Sequence, residues 1–273
     1  LMAVDESTTI KNPTAKRTKN IVSLGKYAHY RRILTGSPIT RSPLDVYTQS
    51  QFLDPALLGF SSFYSFRARY ALLASGFAGG RTFKKVVGFQ NIEELNKLLT
   101  KFSYRVLKKD CLDLPDKVYV RREIEMSPEQ KKVYNELKRY DILRISKTLK
   151  NIYGENSVGT YYGDTSDKER NDIINNFQNK ENPLRFFVGN TQTGGYGITL
   201  TAANTVVYYS NSYDLEKRLQ SEDRAHRIGQ THKVTYIDIF CKGTVDENIV
   251  KALRSKLDLA NLVLGEQKWD KWL

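Results

Sequence analysis

The chain has 273 residues, 43 Lys and Arg against 30 Asp and Glu, and a formal net charge of +13. That length accommodates one large or two small domains with a real core, and 40 % apolar with 27 % charged residues excludes wholesale disorder. No run of 18 apolar residues occurs, so no membrane helix is expected, while two distant cysteines and three scattered histidines argue against a disulfide framework or metal cage and for a reducing, cytoplasmic setting.

Leu1–Val4 reads as the end of a buried strand that delivers Asp5-Glu6-Ser7 at its carboxyl tip. A strand opening so abruptly points to numbering that starts inside a larger protein. A basic loop (Lys11, Lys16, Arg17, Lys19) leads into a helix ending near Tyr30, and Arg32-Ile33-Leu34 is a short strand ending in Thr35-Gly36-Ser37-Pro38. Residues 50–90, rich in Gly and in aromatics such as Phe60, Phe63, Tyr64, Phe66 and Tyr70, read as an insertion of helices and turns. Ile92, Leu95, Leu98, Leu99 and Phe102 mark one helical face, and Val118, Val120 and Ile124 alternate with charged residues as in a half-exposed strand. Ser127-Pro128-Glu129-Gln130 combines an N-cap, a first-position Pro and a closing Gln, predicting a helix through Leu137.

The second half alternates more regularly. Strands are expected at Ser157–Tyr162, Leu184–Val188, Val206–Tyr209 and Val234–Phe240. Between and after them, Ser166 with Glu169 opens a helix to about Phe177, a helix runs from Asp214 to Ile228 and stops at Gly229, and Thr244 with Glu247 caps a helix past Leu257. Such alternation implies an α/β fold with parallel sheets and right-handed crossovers.

Charge is uneven along the chain. Residues 1–110 carry 18 basic and 7 acidic side chains, against 25 and 23 in residues 111–273. Such a block points to a polyanion, most plausibly nucleic acid. Three constellations carry chemistry. Asp5-Glu6 at a strand tip suits Mg²⁺ binding and water activation in a nucleotide hydrolase; alone, an Asp–Glu pair is more simply two solvated acids. Gln220, Arg224 and Arg227 are spaced to share one helical face, where two guanidinium groups clamp a phosphate chain; a salt-bridged surface helix is the plainer account. Asn190–Gly197, with Thr193, Gly194, Gly195 and Gly197, offers backbone N–H groups to phosphate, or is an ordinary strand–helix turn.

Their order decides the matter. Val4-Asp5-Glu6-Ser7, Leu34-Thr35-Gly36-Ser37-Pro38, Gly194–Asn204 and the run from Gln220 to Gln230 (QSEDRAHRIGQ) together resemble the Swi/Snf-like ATPases of helicase superfamily two. Lys11-Asn12, Lys108-Lys109-Asp110, Leu114-Pro115-Asp116-Lys117, Gly163, Arg170 and Phe177 add to the resemblance, which covers nearly the whole chain; the compact layout looks like a bacteriophage member, acting in the host cytoplasm. The resemblance implies two RecA-like lobes with ATP in their cleft and double-stranded DNA along them. Residues 1–125 would hold the C-terminal part of the first lobe with a helical insertion, and residues 126–273 the second lobe. It implies Asp5 on Mg²⁺, Glu6 activating water, Gln220, Gly195 and Gly197 on the nucleotide, and Arg224 and Arg227 as fingers. Lys11, Asn12, Thr35, Gly36, Ser37, Thr193 and Gly194 would face DNA. The implied activity is ATP-driven translocation on duplex DNA. An inactive helicase-like DNA-binding module and a strand-separating helicase are the alternatives.

Three departures bear on this. Ser7 and Thr8 stand where the family commonly has a small residue and His. No G-x-x-x-x-G-K-[ST] phosphate loop occurs, which in the family lies upstream of the acidic motif. No strand is evident before the helix that Ile145–Tyr153 resembles, pointing to residues missing near 140–145.

Overall fold

In the computed structural model, which describes residues 1–79, 81–124, 141–190 and 197–265, the chain divides into two units. Of the described residues, the first comprises Leu1–Arg105 and those from 254 to 265, and the second Val106–Leu253.

The first unit begins with β1 (Met2–Val4), then α1 (Lys16–Gly25) and β2 (Arg31–Ile33). β1 and β2 pair in parallel, Val4 opposite Ile33, as the crossover through a helix requires. Val4, Ile10 and Phe52 are buried there, with Ile21 and Val22 of α1 packed on them. The residues expected as an insertion of helices and turns do form helices, α2 (Val46–Leu53) and α3 (Phe63–Tyr70), but then an antiparallel ribbon of β3 (Ala71–Ala78) and β4 (Arg81–Phe89). Gly76, Gly79 and Gly88 masked the strand signal, since a Gly-rich run lacks the apolar alternation by which strands are read. The aromatics do form a core: Phe66 lies 4.8 Å from the Tyr70 ring, 5.2 Å from Tyr47 and 5.4 Å from Phe60. Burying each such side chain contributes about 1.5–3 kcal/mol. α4 (Ile92–Thr100) sets Leu95 and Leu99 into that core beside Ala260 and Val263, as its 3–4 residue spacing predicts.

The second unit starts with the single turn α5 (Lys108–Cys111) and β5 (Lys117–Ile124). Then come α6 (Asp141–Tyr153), β6 (Val158–Tyr161), α7 (Asp167–Gln178), β7 (Phe186–Gly189), β8 (Thr205–Tyr208), α8 (Leu215–Ala225), β9 (Val234–Cys241) and α9 (Val245–Leu264), the last running into the residues counted with the first unit. β5, β9 and β8 form one parallel sheet in that order, and β6 pairs with β7 in parallel. The expected α/β architecture with parallel sheets is therefore present.

Several local expectations shift. β5 pairs with β9 along its whole length, Lys117 opposite Val234 to Ile124 opposite Cys241. It therefore belongs to the second unit, and the expected boundary at 125/126 falls beyond it. Its inward residue is Tyr119, stacked 5.3 Å from Tyr236, while Val118 and Ile124 are exposed. The helix expected from Ser127 lies outside the described residues, as does residue 140; residues 141–145 belong to α6. α8 ends at Ala225, three residues short of Ile228, because His226 leaves helical geometry at φ −99°, ψ 79°.

Ser166 caps α7 as expected: its Oγ accepts the Glu169 N–H, and the Glu169 carboxylate accepts from the Ser166 N–H at 3.0 Å. Removing such a cap costs about 1 kcal/mol. Ser166→Ala is expected to lower the denaturation midpoint correspondingly while Ser166→Asp retains it, measured by chemical unfolding.

Candidate functional site

In the first unit, Asp5 and Glu6 stand exposed just beyond β1. The Glu6 N–H donates to Asp5 Oδ1 at 2.8 Å, and Glu6 takes the left-handed conformation at φ 47°, ψ 55°. A non-glycine residue there costs about 1–2 kcal/mol, so the surrounding bonds must hold it. Ser7 supplies them. Its N–H donates to the Leu34 carbonyl at 3.1 Å, and its Oγ donates to Gln49 Oε1 at 2.7 Å inside the unit. Gln49 Nε2 in turn donates to the carbonyls of Pro38 and Asp45, both at 2.8 Å.

The acidic tip and the Thr35–Pro38 loop are therefore joined twice, once through backbone and once through a buried amide. Ser7, one of the departures noted in the sequence, has its hydroxyl linked to this loop through Gln49. Nothing in the sequence marks Gln49, a polar residue in the otherwise ordinary helix α2, as part of this tie. Gln49→Leu leaves the Ser7 hydroxyl and two carbonyls without their partner, at about 1–3 kcal/mol. Its expected signature is a lower denaturation midpoint, read by chemical unfolding as the difference in midpoint between Gln49→Leu and wild type. An unchanged midpoint would sink the tie.

Other expected residues sit around this tie. Lys11 Nζ donates to Thr40 Oγ1 at 2.5 Å, and Thr40 N–H donates to Asp45 Oδ2 at 3.0 Å. Lys11 thus braces the loop after Ser37 within the unit. Asn12 Oδ1 accepts from Thr14 N–H at 3.0 Å and from Thr14 Oγ1 at 2.8 Å, a local turn. Thr35 Oγ1 accepts from Ser37 N–H at 3.2 Å, and Gly36 is exposed with open space around its Cα. Asp5 fits the donor chemistry of Mg²⁺, which takes one or two carboxylates and keeps the rest of its shell as water and phosphate oxygen. Among the described residues no group of three or more His, Cys, Asp and Glu forms a cage.

In the second unit, Thr193, Gly194 and Gly195 lie outside the described residues. Gly197 is described at φ 67°, a conformation that favours glycine. The segment after it is bound to the arginine motif. Arg227 Nη1 donates to the Ile198 carbonyl at 3.3 Å, and Leu200 N–H donates to the Arg224 carbonyl at 2.9 Å. Gln230 Nε2 reaches the carbonyls of Thr201, Ala203 and Ala225 at 3.1, 2.9 and 3.1 Å. Two motifs that are distant in sequence are one body here.

The shared-face reading holds only in part. Gln220 and Arg224 are four apart on α8, but Arg227 lies past the helix end and reaches Ile198 through the loop. The plainer account, a salt-bridged surface helix, holds for the half-exposed pairs of Asp214 with Lys217 and Asp223 with Lys108 but not for Arg218 and Glu222, whose ion pairs are interior. Arg218, 3 % exposed, meets Asp238 with Nη1–Oδ1 at 2.6 Å and Nη2–Oδ2 at 3.0 Å, and donates from Nε to Glu222 at 2.9 Å. Its guanidinium lies 3.6 Å from the Tyr208 ring centroid. Glu222, fully buried, also accepts from Lys117 Nζ at 3.0 Å and Tyr119 Oη at 2.8 Å. Burial acts to raise the Glu222 carboxyl, but Lys117 and Arg218 outweigh it and hold it below the usual carboxylate range. Burial, reinforced by Glu222, pushes the Tyr119 phenol far up, keeping it a donor.

The motif's remaining polar residues join the earlier segment. His226 Nε2 lies 2.7 Å from the Pro115 carbonyl, which fixes the proton on Nε2, and Lys108 donates to the His226 carbonyl at 3.3 Å and pairs with Asp223 at 2.6 Å. Burial lowers the imidazole pKa, with the positive charges of Lys117 and Lys108 adding to it. The Lys108 and Leu114–Lys117 segments thus hold the Glu222, Asp223 and His226 positions of the motif. Gly163 and Arg170 also meet, Arg170 Nη2 donating to the Tyr162 and Gly163 carbonyls, both at 3.2 Å.

Comparison with known proteins agrees with the motifs. Residues 1–169 match the SNF2-related domain family, and residues 117–229 the helicase conserved C-terminal domain. Human "Chromatin-remodeling ATPase INO80" is 36 % identical over 114 residues, 42 % of this chain and 7 % of that protein. "TATA-binding protein-associated factor mot1" of Aspergillus fumigatus is 25 % identical across 97 % of this chain and 20 % of its own length. "SWI/SNF chromatin-remodeling complex subunit snf22" of Schizosaccharomyces pombe is 24 % identical across 98 % and 21 %. The chain therefore spans about a fifth or less of these relatives' lengths. The alignment with the Aspergillus protein runs over 376 positions against 273 residues here, so it includes residues this chain lacks. Among solved structures, the "Sulfolobus solfataricus SWI2/SNF2 ATPase core in complex with dsDNA" shares 26 % identity over 97 % of this chain and 69 % of that one, with a TM-score of 0.34.

Proposed function

The chain belongs to the SNF2-related domain family, and from that premise we propose that it is the motor portion of an ATP-dependent translocase on double-stranded DNA. The observation that carries this is the double tie between the acidic tip and the Thr35–Pro38 loop. In this reading Asp5 holds the Mg²⁺ of ATP and Glu6 orients the attacking water. A change at the nucleotide passes through Ser7, Leu34 and Gln49 to Thr35, Gly36 and Ser37 at the DNA. Arg224 and Arg227 place positive charge on the phosphates, Gln220, Gly195 and Gly197 contact the nucleotide, and Asn12, Thr193 and Gly194 face DNA, with Lys11 bracing the loop beside them. Bound metal supplies charge neutralisation at the γ-phosphate; the protein's part is positioning and preorganised charge. The compact layout, with few insertions, is what supports the reading of a bacteriophage enzyme working in a host cytoplasm, and the lack of a strand signal before Ile145 in the sequence is what supports residues missing near 140–145.

ATP hydrolysis by the full-length protein, measured with duplex DNA, single-stranded DNA and RNA, tests the reading. Duplex DNA is expected to stimulate most, without strand displacement. Equal stimulation by single strands with displacement would favour a strand-separating helicase. DNA binding without turnover would favour an inactive module.

A further inference from the structure

The ribbon of β3 and β4 takes no part in the site described above. It is a two-stranded sheet, and such a pair alone is marginally stable in water. It nevertheless exposes apolar surface: Phe77 is 73 % and Val87 61 % exposed, and Phe83 and Leu72 nearly half.

Cross-strand partners share a face. Lys85 opposite Ala74 and Phe83 opposite Gly76 therefore occupy one face, and Lys84 opposite Ser75 with Phe77 opposite Thr82 the other. The Phe83 ring lies over Gly76 so closely that a Cβ there would stand 2.8 Å from it. Each face thus carries one lysine and one phenyl ring over small residues. From Pro55 to Ile92 the chain has no acidic residue and five basic ones, Arg67, Arg69, Arg81, Lys84 and Lys85. Among the described residues Arg69 pairs with Glu94, whereas no ion pair engages Lys84 or Lys85.

Lysines on a ribbon also discourage edge-to-edge pairing, but that role does not call for the surrounding absence of acid. A flat anionic surface would meet one face and leave the other lysine in water. A nucleic-acid groove presents two phosphate walls, and the major groove of B-DNA, about 12 Å wide, admits a two-stranded ribbon. We infer that the β3–β4 ribbon is a separate DNA contact that enters a groove of the duplex, Lys84 and Lys85 meeting phosphates of opposite strands and Phe77 packing against the groove interior. This rests on the reading of duplex DNA as partner and adds to it a contact outside the family motifs.

The test is the salt dependence of duplex binding by the full-length protein and its K84A/K85A variant. Each phosphate contact contributes about 0.9 to the slope of log affinity against log salt, so the variant's slope should be shallower by about 2. K84R/K85R should restore it, and all three proteins should unfold at the same temperature. An unchanged slope in a wild type that binds duplex overturns this inference alone, and aggregation as the variant's sole defect does the same by reducing the lysines to edge guards. A wild type that binds no duplex DNA overturns the partner reading as well.

Discussion

On the proposed function, replacing Glu6 by Gln is expected to lower DNA-stimulated ATP hydrolysis by about 10²–10⁴-fold, the range for losing a positioned acid–base group. Arg227→Ala should lower it by about 10³–10⁵-fold, as for an arginine finger. Both should leave duplex binding within a few-fold of wild type. The two residues reach this state differently. Glu6 is exposed and held in a left-handed turn by the bonds of Ser7 behind it, so the isosteric amide removes the base without disturbing the turn. Arg227 is half-buried with one donor on the Ile198 carbonyl, so its removal also frees the segment after Gly197. Arg227→Lys keeps the charge but loses the forked geometry, and should recover little turnover. Turnover near wild type in Glu6→Gln would remove Glu6 from the chemistry; DNA binding lost in parallel with turnover would make the residues structural.

The motifs were legible because they are local. A strand tip bearing Asp-Glu, a loop Thr-Gly-Ser-Pro and a run of eleven residues from Gln220 each carry their signal in consecutive positions, and the strands and helices of the second unit follow from period and caps. What joins them was not legible. Gln49 lies 42 positions from Ser7, and a polar residue in a helix gives no sign of which hydroxyl it will meet. Arg218 and Glu222 do show i, i+4 spacing, but spacing does not distinguish a solvated pair from one closed over by Lys117, Tyr119 and Asp238, which come from other strands of the sheet. The β3–β4 ribbon was missed for a third reason. Its glycines make room for Phe83 and for close strand contact, and the same glycines erase the alternation that identifies a strand. Arg227 shows the opposite error, a helical spacing continued past the point where His226 turns the chain out of the helix.

The interior network makes the second large prediction. Glu222→Ala leaves Arg218 and Lys117 facing each other without their shared carboxylate, and losing one partner of a buried pair costs about 3–5 kcal/mol. Against a typical total of about 5–15 kcal/mol, that removes much of the second unit's stability, and with it the seating of α8 and its arginines. Tyr236 Oη donating to the Glu222 carbonyl at 2.9 Å survives the change, so the helix should loosen rather than detach at once. The acid limb gives an independent reading. The Glu222 carboxyl is held low in the folded state because Lys117 and Arg218 outweigh burial. A depressed folded value means that its contribution is fully present above the unfolded carboxylate value, about 4.3. It is lost as pH falls through the folded value below that. Glu222→Gln cannot titrate, so its unfolding free energy should be lower at neutral pH and should fall less steeply on acidification than that of the wild type. Arg218→Ala removes one of the two cations that oppose burial, so its acid limb should move to higher pH. Denaturant unfolding from pH 3 to 7 on the three proteins measures both effects; coincident acid limbs in wild type and Glu222→Gln would show that Glu222 is not the group that sets the acid stability of this unit.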